Sequence, residues 1–136
     1  MLLVIILAVL LLSGGVEAAD ESQARYLLHC RGCHLANGSG VAPDVPTLVD
    51  EIGRLVASPA GREYVVRVPG VSQSALDDEG LASVLNWILE RFNADTLPAD
   101  FRPYSTGEIA EARKKVLADP LTYRRTLRLD GTRAPN

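Results

Sequence analysis

Two cysteines, Cys30 and Cys33, stand three residues apart with His34 directly after the second, and the chain has no other cysteine. A pair this close cannot staple distant parts of a fold, so it serves a local dithiol, half of a zinc site or a covalent attachment point. A thioredoxin-like dithiol needs a strand-to-helix setting, and a zinc site needs further ligands at matching spacing. Neither setting occurs in this sequence. The run Cys30-Arg31-Gly32-Cys33-His34 instead has the form of c-type haem attachment, in which two thiols become thioethers and the adjacent imidazole reaches the iron. Cysteines three apart at the end of a helix can meet the two vinyl positions of one porphyrin edge, and the next residue then lies beneath the metal. One covalent haem c is therefore expected, held by Cys30 and Cys33, with His34 as axial iron ligand. His29, the other histidine, is too near the attachment point to serve the opposite face of the same haem.

A chain of 136 residues has room for one compact core. Its formal charge of −3 and pI near 5.3 leave no basic excess to follow a phosphate backbone, so nucleic acid is not an expected partner. Residues 2–12 are an uninterrupted apolar run, followed by Ser13-Gly14-Gly15 and Val16-Glu17-Ala18. Small residues at Val16 and Ala18 suit a signal peptidase, and 11 apolar residues are too few to span a bilayer easily. Residues 1–18 thus read as a cleavable signal peptide, and the location as periplasmic or otherwise exported. No membrane association is expected after cleavage. Export also places the cysteine pair outside the reducing cytosol.

Asp20 and Gln23 stand at capping-box spacing for a helix that carries Ala24, Leu27 and Leu28 and should run to about Arg31. The stretch from Asn37 through Gly38, Gly40, Pro43 and Pro46 permits turns and forbids regular ladders, so it reads as a loop wrapped around something. Thr47 is placed to cap a short helix with Leu48, Ile52, Leu55 and Val56, and Ser58-Pro59 opens another that reaches about Arg67. The strongest helical pattern follows. Asp77 caps it, Asp78 and Glu79 favour its positive end, and Leu81, Val84, Leu85, Ile88, Leu89 and Phe92 recur at helical spacing. No segment alternates convincingly like a strand. The expected class is all-α, short helices around one covalently bound haem.

These residues carry a resemblance: the body over residues 26–92 is similar to a class I monohaem cytochrome c. The resemblance implies a cytochrome c-like fold closed by contact between Tyr26 in the first helix and Trp87 in the last. It also implies that the Pro46 carbonyl accepts the N–H of His34, which would orient the ring and tune its basicity. Leu76-Asp77-Asp78-Glu79-Gly80-Leu81 is similar to the family's opening of the final helix, and this locates the distal ligand. Where the family keeps a Met-Pro pair, this chain reads Val68-Pro69, and its only methionine is Met1. A haem with His and Met as axial ligands cannot be built from the mature sequence. The distal candidates are Tyr64, Arg67 and Gln73, with Lys114 or Lys115 if the tail folds across the haem, and an open or water-filled site ranks above each. Loss of the Met ligand should lower the reduction potential.

The charge balance reverses along the chain. Residues 19–100 hold six Lys/Arg against twelve Asp/Glu, whereas residues 101–136 hold eight against four. The division expected is a signal peptide over 1–18, a cytochrome c domain over 19–94, and a basic C-terminal extension over 95–136. Ser105 with Glu108 would form a capping box for a helix carrying Ile109, Ala112, Val116 and Leu117. Asp119-Pro120 would open a second with Leu121 and Leu127, and residues 130–136 should be disordered. The extension is expected to dock on the body, covering its apolar surface, with the body's acidic residues as partners for the basic ones. The function expected is a one-electron carrier serving a redox partner protein such as an exported dehydrogenase, and not a catalyst. The alternative is a small-ligand-binding or peroxide-handling haem protein with an open distal iron.

Overall fold

The computed structural model describes the backbone of residues 14–127 and the side chains of residues 21–127. Eight helices are present among the described residues: α1 (Gly14–His29), α2 (Arg31–His34), α3 (Ile52–Leu55), α4 (Pro59–Arg67), α5 (Pro69–Ser72), α6 (Asp78–Phe92), α7 (Thr106–Ala112) and α8 (Pro120–Thr126). Described residues form no strand, only one isolated antiparallel bridge between Val41 and Val45. The fold is all-α, as expected. Residues 1–13, most of the expected signal peptide, and residues 130–136 lie outside the described residues.

The first and last helices of the body meet around an aromatic cluster. The Tyr26 ring is 5.3 Å from Trp87 and 5.4 Å from Phe92, and Tyr26 has no exposed surface. The expected contact between Tyr26 and Trp87 is therefore made. Ser22 adds a hydroxyl bond to Ser83 at 2.6 Å along the same seam. Helix α6 then turns its other sides elsewhere. Asn86 donates to the Tyr104 carbonyl at 3.0 Å and accepts from its N–H at 2.7 Å, which fixes the extension, while Leu81, Leu85 and Ile88 face a cavity. A helix buried on three sides needs a broad apolar surface rather than one narrow stripe, which is what its sequence contains.

Most of the caps fall where the sequence places them. Ser58 accepts from Gly61 N–H at 3.1 Å, Asp77 from Gly80 at 2.8 Å, and Asp119 from Thr122 at 2.9 Å. Three details differ. Asp20 lies inside α1, because Glu17, Ala18 and Ala19 favour helix and carry it back to Gly14. Thr47 caps no helix: its hydroxyl donates to the Gly38 carbonyl at 3.3 Å and accepts from Val49 N–H at 3.1 Å, so it holds the loop, and α3 begins later without a side-chain cap. Ser105 accepts from Glu108 N–H at 3.2 Å, but the Glu108 carboxylate turns away from the capping box to Arg62.

The extension is docked through one continuous hydrophobic cluster in which Tyr104, Ile109 and Leu117 join Tyr64 and Val66. Arg62 holds both Glu108 oxygens at 2.9 Å, donates to the Arg102 carbonyl at 2.8 Å, and lies 4.3 Å over the Tyr104 ring. Val116, expected on the packed face, is exposed because the helix ends at Ala112. Arg113 follows and bonds four acceptors: the carbonyls of Ser72 (3.2 Å), Ser74 (2.8 Å) and Leu76 (3.0 Å), and Asp78 Oδ1 (2.8 Å). Arg113→Ala is expected to cost about 2–3 kcal/mol, the loss of charge-assisted bonds that only this side chain supplies. Denaturant unfolding checks the stability loss, and hydrogen exchange should show residues 70–76 opening before the rest.

Candidate functional site

The site is placed by the end of α1. Cys30 N–H bonds the Tyr26 carbonyl at 2.9 Å, and α2 then turns tightly, with His34 N–H on the Cys30 carbonyl at 3.0 Å. This leaves Cys30 half-buried and Cys33 exposed. After His34 the chain reverses through Leu35, whose φ of 58° is left-handed and costs about 1–3 kcal/mol for a side chain of this kind. The Tyr26 hydroxyl holds that turn, donating to the Leu35 carbonyl at 2.5 Å.

The His34 ring is fixed from the other side. Its Nδ1 lies 3.2 Å from the Pro46 carbonyl, which can only accept, so Nδ1 carries the proton and Nε2 presents a lone pair. Burial holds the His34 pKa below the ordinary value despite the opposing Pro46 bond. The ring therefore stays in the neutral form that a metal requires. Pro46 is itself held by a compact loop. Leu48 N–H bonds the Gly38 carbonyl at 2.7 Å, and Gly40 N–H bonds the His34 carbonyl at 3.2 Å. Gly40 adopts φ of 67°, and a Cβ there would collide with the carbonyls of Val45 and Pro46.

Cys30, Cys33 and His34 open onto a cavity of about 510 Å³ whose wall includes Leu55, Val65, Val68, Leu81, Leu85 and Ile88. The volume lies within the range of cofactor sites. Burial, reinforced by Cys33, pushes the Cys30 thiol up to about 11. A reactive dithiol needs a depressed value, so the buried Cys30 thiol argues against a redox disulfide here.

The distal candidates separate clearly. Tyr64 is buried and lines the cavity. Its pKa is raised by burial, against which the nearby Arg124 guanidinium acts only in part. Arg67 is outside the wall, with Nε donating to the Lys115 carbonyl at 2.6 Å and its guanidinium 5.7 Å over Tyr123. Gln73 is exposed and also outside the wall. Lys114 and Lys115 pair with Glu111 and Glu63 and do not reach the cavity. The extension reaches it instead through Ala118, Asp119, Leu121 and Arg124. Sequence reasoning misses Arg124, and also Asn93, which is fully buried, accepts from Gly53 N–H at 2.9 Å and ties the start of α3 to the end of α6. Tail residues carry no period that points to a pocket made by distant segments.

No family model matches the chain. It is 30% identical over 125 residues to a cytochrome c-552 of Thermus thermophilus, covering 79% of this chain and 84% of that protein. It is also 30% identical over 112 residues to another cytochrome c-552 of Thermus thermophilus, covering 69% and 86%. The chain belongs to the cytochrome c family. Its cofactor is covalently bound haem c, and the apolar cavity, the adjoining thiols and the neutral, oriented imidazole suit that group. In this cytochrome, Gly40→Ala should displace the Pro46 carbonyl. An expected loss of about 1–3 kcal/mol in denaturant unfolding, with a perturbed visible haem spectrum, checks it.

Proposed function

We propose that this cytochrome is an exported one-electron carrier whose single haem is joined to Cys30 and Cys33 and ligated by His34. The observation that supports it most directly is the division of the site: Cys33 is exposed at the surface, while the His34 ring is half-buried and bonded to Pro46 at 3.2 Å. Such a site puts one cofactor edge within reach of a partner protein and keeps the ligand rigid. When bound, haem supplies one-electron exchange at iron. The chain's own residues supply orientation through Pro46 and water exclusion through Leu55, Val65, Leu81 and Leu85. The partner in this reading is a redox protein such as an exported dehydrogenase.

Export rests on the sequence of residues 1–18. Among the described residues no helix is long and apolar enough to cross a membrane. Peroxide handling is less well supported, because Arg67 and Gln73, the donors it would use, are outside the cavity wall.

The sixth iron position in this reading has no strong side-chain ligand. Val68 lines the cavity and its side chain has no donor atom. The raised pKa of Tyr64 disfavours the phenolate that would be needed for it to ligate. Three outcomes are expected. Mature protein made with cytochrome c maturation machinery should retain haem through acid-acetone extraction and denaturing electrophoresis, and Cys30→Ala or Cys33→Ala should weaken or abolish that retention. Haem that extracts freely from the parent would reject the reading. Reduced protein should bind carbon monoxide readily in an optical titration, and failure to bind with a low-spin spectrum would show an occupied position. Val68→Met should gain low-spin character, rise in reduction potential and bind the gas less well.

A further inference from the structure

Haem carries two propionate groups, and a carboxylate leaving water needs a charged or hydrogen-bonding partner. The cavity wall offers neutral donors such as Thr47, Tyr64 and Ser74 but few charged ones. Asp44 and Asp119 have the same sign as a propionate, and among the described residues Arg124 is the only arginine or lysine in the wall. It does not come from the body of the cytochrome but from α8. That helix is seated by Tyr123, whose ring stacks on Tyr64 with centroids 6.0 Å apart and planes 10° from parallel.

Arg124 is positioned with donors to spare. Its Nη2 donates to Glu51 Oε2 at 2.7 Å, and the two side chains are 22% and 33% exposed. A guanidinium has five N–H donors in a planar fork, so one bond to Glu51 leaves donors for a second acceptor. Glu51 precedes Ile52, itself part of the wall, and this bond anchors the guanidinium at the cavity. The Tyr64 hydroxyl belongs to the same corner, since Arg124 acts on its pKa.

We propose that Arg124 is a haem-binding residue: its guanidinium pairs with a propionate while Glu51 holds it in place. The C-terminal extension thereby supplies a charge that the wall otherwise lacks. This rests on the haem reading above. It also gives the basic extension a role beyond covering apolar surface, because bound haem and docked α8 stabilise each other through one side chain.

The test compares holoprotein with the variants Arg124→Gln, Arg124→Lys and Glu51→Gln, each first shown to hold its haem covalently. The readouts are the reduction potential and the propionate bending band in resonance Raman spectra. Arg124→Gln should shift that band and lower the potential, because removing a nearby positive charge favours the oxidised cofactor. Arg124→Lys should return the potential towards the parent's. Glu51→Gln should raise the potential and leave most of the band in place. A haem-loaded Arg124→Gln variant with the parental band and potential would overturn the proposal. A parent without covalent haem would instead sink the reading on which it rests.

Discussion

The seating of Tyr26 between α1 and α6 governs where everything else can lie. Its ring fills the crossing against Trp87 and Phe92, while its hydroxyl passes through to the Leu35 carbonyl. One residue thus joins the packing of two helices to the exit path of the segment holding Cys30, Cys33 and His34. The left-handed turn at Leu35 would be costly in isolation. It is offset by that hydrogen bond and by the loop it launches, which returns the Pro46 carbonyl to His34.

The cavity is not a pocket added to a finished core. Ile52, Leu55, Val65, Val84, Leu85 and Ile88 are core residues and also line the cavity. An apolar space of this size without its cofactor would forfeit dispersion contacts along every lining side chain. Haem c is therefore a structural member of the core as well as its redox centre. Short helices such as α3 and α5, which have too few residues to be stable alone, are understandable as walls fitted to a group that completes them.

How much of this can be read from the sequence depends on the range of the interaction involved. Ser58, Asp77 and Asp119 cap neighbours three residues away, so their roles are local and visible as patterns. The broad apolar surface of α6 is equally plain, and the resemblance to the family correctly joins Tyr26 to Trp87 and places Pro46 against His34. Thr47 is misassigned because a hydroxyl before an apolar stretch fits a cap and a loop bond equally well, and only the position of the Gly38 carbonyl decides between them. Glu108 shows the same limit. Its spacing from Ser105 predicts a reciprocal box, yet a bidentate bond to Arg62 from another part of the chain is stronger than the bond it would make to its own helix end. Arg124 and Arg113 are beyond the reach of any local pattern, since their partners are set by how the extension crosses the body.

That crossing bears on the segment at Val68-Pro69, which carries no methionine. In a His/Met cytochrome the bond from sulfur to iron would tether the segment before the last helix; here Val68 offers no such tether. The same segment is instead held by protein contacts. Ser72 Oγ bonds the Val68 carbonyl at 3.1 Å, and Arg113 gathers the carbonyls of Ser72, Ser74 and Leu76 together with Asp78. Arg67 and Leu117 add a further tie, with Leu117 N–H on the Arg67 carbonyl at 3.0 Å. The fork of one arginine thus orders the distal wall without drawing on the iron. A guanidinium clamp of this kind holds the wall through the protein alone: the segment that lines the cavity at Val68, Pro69, Gly70 and Val71 is kept in place by a residue of the extension.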